Sequence, residues 1–161
     1  MRKIAFLASL AGAAAVAGVA QAQTVNVEIG GELRRHGLEL GQRDIREQAD
    51  RLGEVVHRAL VRRGGFEGAT VNLVLLDVRP NRPTFQQLAD KPGLDYHRSV
   101  SIGGAEIEGE IIMPDGTVKP LPRWDWYSHS ISEVMGFTTW QDAERAYSRY
   151  ATALTSGRLT L

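Results

Sequence analysis

Apolar and polar residues trade places along this chain with two different periods, and the changes of period mark its elements. From Thr24 to Ile29 they alternate, with Val25, Val27 and Ile29 on one side and Asn26 and Glu28 on the other. A period of two predicts a half-buried strand, ended by Gly30-Gly31. Residues 32–41 read as a polar connection closed by Gly41. From Gln42 to Arg63 the period lengthens. Ile45, Ala49, Leu52, Val56, Ala59 and Leu60 recur at helical spacing and form one apolar stripe. Glu47 with Arg51, and Glu54 with Arg58, stand one turn apart with the acid first, the favourable order for a surface pair. Gly64-Gly65 supplies the stop.

Ala69 to Val78 is aliphatic at nearly every position from Val71 on, as expected of a central strand covered on both faces. A long connection follows over 79–98, punctuated by Pro80, Pro83, Pro92 and Gly93. Thr84 followed by Gln87 is a capping-box pattern and predicts a helical turn over Phe85 to Asp90. Ser99 to Met113 reads as a second long strand. Val100 and Ile102 share one parity, whereas Ala105, Ile107 and Ile111 share the other. A β-bulge at Gly103-Gly104 would keep one face buried through that switch. Pro114-Asp115-Gly116 is a tight turn, and Thr117 to His129 returns as the other arm. Pro120 and Pro122 make that arm an edge strand, or irregular in its first half. Thr138 with Gln141 is another capping box. Trp140, Ala143, Tyr147, Tyr150 and Leu154 then form a second apolar stripe, closed by Ser156-Gly157.

The predicted order is therefore β-α-β-β-β-α. It favours an α+β fold: a mostly antiparallel sheet of about four strands with two amphipathic helices on one face.

The first 22 residues do not fit this pattern. Arg2 and Lys3 precede an uncharged run from Ile4 to Val19, and Ala20-Gln21-Ala22 sets small residues at both positions of a peptidase site. These are the parts of a secretory signal peptide, cut after Ala22. The run is shorter than the ~20 apolar residues of a spanning helix. Residues 1–22 are thus expected to be a leader and 23–161 a single domain, periplasmic or secreted, with no membrane span after cleavage.

Charge narrows the partners. The chain carries 19 basic and 19 acidic side chains, and loss of Arg2 and Lys3 leaves two acidic groups in excess. A nucleic-acid binder needs the opposite balance. With no cysteine, thiol catalysis, thiolate metal sites and a lipidated N-terminal Cys are excluded. The four histidines, His36, His57, His97 and His129, form no HExxH or HxH pair. No metal or other cofactor is expected.

Candidate chemistry lies in four places. Asp125, Ser128 and His129, with His97 as a further base, could serve a small hydrolase or isomerase, although no nucleophile elbow surrounds them. Glu106, Glu108 and Glu110 share a strand face, as either a cation or basic-peptide site or a solvated row that discourages edge aggregation. Trp124, Trp126 and Tyr127 either pack in the core or present an aromatic platform. Arg79, Asn81, Arg82, His97 and Arg98 flank the long connection, where an arginine fork could hold a carboxylate or phosphate.

Five stretches carry a resemblance: Val78 to Thr84, Lys91 to Leu94, Ser101 to Ala105 with Gly109, Trp124 to Tyr127, and Thr139 to Ala143. Together they resemble a group of small exported bacterial envelope proteins to which no activity is attached. The resemblance implies an envelope location, and a long connection and glycine kink built into one fold; it brings no reaction, cofactor or active-site residues with it. The leading expectation is a non-catalytic module that binds a protein partner or envelope polymer through Arg79, Asn81, Arg82, Trp124, Trp126 and Tyr127. The hydrolase or isomerase, and a structural or stress-related protein without a ligand, are the alternatives.

Overall fold

The computed structural model describes residues 23–134 and 137–159; the predicted leader and its cut site lie outside them. Strand β1 spans Thr24–Ile29, helix α1 Gly31–His36, α2 Gln42–Arg63, β2 Thr70–Arg79, α3 Phe85–Asp90, β3 Gly104–Ile112, β4 Val118–Tyr127 and α4 Gln141–Thr155. A 3-10 turn, Ile131–Val134, precedes α4. The fold is α+β, with the four strands in the order β1-β2-β3-β4.

The sheet is mostly antiparallel, as the element order predicts, but it is mixed. β2, β3 and β4 form an antiparallel meander, but β1 runs parallel to β2, with Asn26 beside Asn72. The helices between β1 and β2 make this possible, because a parallel pair needs a crossover long enough to return the chain to its starting end. One of those helices, α1, occupies the predicted polar connection. It buries only Leu33, too little apolar signal to show a period, and places Arg34, Arg35 and His36 in its last turn, where cations suit the helix dipole.

The long helices cover one face of the sheet. α2 packs on β1 and against α4, and α4 packs on β3 and β4. Leu52, Val56 and Leu60 of α2 and Tyr147, Tyr150 and Leu154 of α4 are fully buried against Val71, Leu73, Leu75, Ala105, Ile107 and Ile111. Ala143, Ala146, Ala151 and Ala153 let α4 lie close, while its two tyrosines fill the space between them. Arg51 joins the helices by pairing with Glu54 of its own helix at 3.3 Å and Glu144 of α4 at 3.4 Å. The expected Glu47–Arg51 pair is therefore replaced: Glu47 pairs with Arg43 at 2.7 Å, and Glu54 lies 4.0 Å from Arg58.

The parity switches fall elsewhere than expected. β3 begins at Gly104, so Val100 and Ile102 lie outside it. The extra residues are in the neighbouring strands. The β2 register slips between Leu75 and Asp77, which lets Leu75 and Val78 both face the helices. The β4 register slips opposite Ile107 and Gly109, which brings Leu121 and Trp124 to the same side. Gly104 instead marks a close crossing: a Cβ there would overlap the Trp126 carbonyl oxygen. No helix among the described residues is long and apolar enough to cross a membrane.

Candidate functional site

The long connection is a fastener. Asn81 is fully buried where the end of β2 meets the start of α4. Its backbone N–H donates to Thr139 O at 2.7 Å, and its carbonyl accepts from Ser101 N at 2.9 Å. Its amide Nδ2 donates to Asp142 Oδ2 at 2.6 Å, and its Oδ1 accepts from Asp142 N at 2.8 Å. Arg82, also buried, donates to the carbonyls of Tyr96 at 2.8 Å, His97 at 2.9 Å and Phe137. Both side chains, expected from sequence as contacts for a partner, spend their hydrogen bonds inside the fold. Thr84 caps α3 through a complete capping box with Gln87.

Arg79 belongs to the other face of the sheet, which no helix covers among the described residues. It pairs with Asp77 at 2.9 Å and lies 4.5 Å over the Tyr127 ring, while the Tyr127 hydroxyl donates to Asp77 at 2.7 Å. Partial burial, and then that bond to a carboxylate, push the Tyr127 phenol well above its ordinary pKa. Asp77, Glu106 and Asp125 stand side by side across β2, β3 and β4, and Glu106 is joined to Arg123. Further along, Asn26 donates to Asn72 at 3.0 Å and Asn72 to Glu110 at 3.3 Å. The glutamate row of β3 is thus partly tied into a polar lattice across the open face.

The tryptophans lie on the helix-covered side at the rim of the sheet. Both are half-buried and pack against the core. Trp124 meets Tyr150 edge-on, with ring centroids 5.5 Å apart. Trp126, opposite the small Ala105, carries the Arg149 guanidinium 4.7 Å from its ring centroid. These residues line a groove between β4 and α4, made of two adjoining recesses of about 570 and 660 Å³. Asp125, Ser148, Thr152 and Arg158 complete its larger recess, and Glu144, paired with Arg51, and Arg145 line the smaller one. Arg149 has no hydrogen bond or ion pair among the described residues. Among the described residues the Arg158 side chain bonds only to Ser156 Oγ, at 3.0 Å. A guanidinium held over an indole by its π face can still offer N–H donors to a carboxylate.

The sequence pointed to both tryptophans but missed the arginines. Arg149 and Arg158 read as ordinary surface cations, and only the packing of α4 along β4 sets them beside Trp126. Asp125, His97 and His129 are exposed, and no hydrogen bond joins them to one another or to Ser128. Ser128 is buried, and its Oγ has no partner among the described residues. No group of three or more metal-ligating side chains converges among the described residues. Neither a protein-family model nor a curated protein matches this chain.

Proposed function

We propose that this protein is an exported, non-catalytic binding module of the cell envelope. It holds a carboxylate-bearing protein partner or polymer in the groove between β4 and α4. The observation that carries the reading is Arg149, a cation laid on Trp126 in an open groove without an acidic partner among the described residues. The predicted leader and the acidic excess support a role outside the cytoplasm and away from nucleic acid.

The test is a titration of tryptophan fluorescence with two carboxylate-bearing probes, polyglutamate and polygalacturonate. A saturable change with at least one of them, weakened by salt and lost in Arg149→Ala, is expected. An unchanged spectrum with both, or an equal response from Arg149→Ala, would refute the reading.

A further inference from the structure

The prolines of β4 show which of its backbone groups are free. In an antiparallel ladder, alternate residues exchange hydrogen bonds with the neighbouring strand, and those between point their N–H and C=O away from it. Met113 N donates to Thr117 O at 2.8 Å, so that pair is of the bonded kind. Counting along the register, Lys119 and Leu121 face β3, and Pro120 faces outward. The missing N–H of Pro120 therefore costs the ladder nothing. Beyond the bulge, Ser128 N donates to Gly103 O at 3.0 Å, so Trp126 and Trp124 face β3 while Asp125 and Tyr127 face outward. The two halves of this edge thus differ. Pro120 and Pro122 blunt the first half, and the second half leaves the backbone donors and acceptors of Asp125 and Tyr127 unpaired by the sheet, next to the groove.

We propose that an extended, acidic segment of a partner protein adds to the Arg123–Tyr127 half of β4 as a fifth strand, with alternate carboxylates reaching Arg149 and Arg158. The inference rests on the groove reading above and names its occupant. A polysaccharide would meet the same arginines, but a second backbone alone repeats its donors and acceptors at the ~7 Å two-residue spacing of this edge. Charge sets the pattern of the added strand. Side chains on the helix side approach Trp124, Trp126, Arg149 and Arg158. Those on the other side approach Asp125, which repels acids. The matching sequence therefore alternates acidic with uncharged β-branched residues.

The test uses 15N-labelled protein recovered from cells that express the full chain. The probe is an eight-residue peptide of alternating Val and Glu. Its comparators are the same peptide N-methylated at alternate residues, a Val/Lys version, and polygalacturonate. The Val/Glu peptide should shift the amides of Asp125 and Tyr127 and the Trp126 indole. N-methylation, Lys for Glu, Arg149→Ala and Asp125→Pro should each weaken binding by about tenfold or more. Because Asp125→Pro could disturb the fold, N-methylation removes the same class of bond without touching the protein. If the N-methylated peptide binds equally well, or only polygalacturonate binds, strand addition is overturned and the groove reading stands. If no probe binds, both fall.

Discussion

Replacing Asn81 with Ala removes an amide that bonds the carboxylate and the backbone N–H of Asp142, and leaves that fully buried carboxylate with only Arg145, 3.2 Å away, to answer it among the described residues. A buried charge deprived of a partner costs more than the bond it lost. Asn81→Ala should therefore lower unfolding stability by ~2–4 kcal/mol, measured by urea denaturation, and by far more than Arg79→Ala on the exposed face. Tyr150 presents the opposite case. Its hydroxyl is buried with no partner among the described residues, so Tyr150→Phe should raise stability by about 1 kcal/mol in the same assay. A loss of stability would show that the hydroxyl is bonded after all.

The elements differ in how much of them the sequence declared. β1 and α2 have the bounds their periods predict, because each carries an uninterrupted apolar stripe. α3 buries no residue and was legible only through Thr84 and Gln87. Thr84→Ala should accordingly cost ~1 kcal/mol and raise amide exchange in residues 85–90, with β2 unaffected. The capping box expected at Thr138 is half formed: Gln141 Oε1 accepts from Thr138 N at 3.3 Å, but Trp140 is the N-cap residue and makes no side-chain cap bond. The parallel pairing of β1 was hidden because alternation reports which face is buried and not which way a neighbour runs. The bulge expected at Gly103-Gly104 is absent for a related reason. A switch of parity at Gly103-Gly104 looks the same whether a strand bulges there or starts there, and the true insertions sit in β2 and β4, where aliphatic runs mask parity. Of the candidate site, the tryptophans were legible as a pair on one face. The arginines were not, because their place depends on how α4 lies along β4.

Taken whole, the molecule buries its phenols unevenly. Burial raises the pKa of Tyr147 and Tyr150, and burial with the Asp77 bond raises that of Tyr127. A folded-state value above the unfolded one means the native state holds the phenolic proton more tightly. The associated stability is therefore fully present below the unfolded tyrosine range near pH ~10 and is lost as pH rises beyond it. An alkaline titration followed at 295 nm and by circular dichroism should show these three phenols ionising together with unfolding. Independent ionisation of Tyr127, Tyr147 and Tyr150 in a still-folded protein would contradict the packing described.

The layering also separates charge across the molecule. Glu28, Asp77, Glu106, Glu108, Glu110 and Asp125 lie on the open side of the sheet, answered there by Arg79 and Arg123. Arg43, Arg46, Arg51, Arg58, Arg62 and Arg63 lie on α2 against Asp44, Glu47, Asp50 and Glu54, and Arg145 and Arg149 balance Asp142 and Glu144 on α4, so the helix layer keeps a small basic excess. A chain almost neutral in sum therefore has a permanent electric moment along the normal to its sheet. Near an anionic surface that moment exerts a torque, felt within the ~8 Å screening length of physiological salt. The torque turns the helices toward the surface and the carboxylate face away from it.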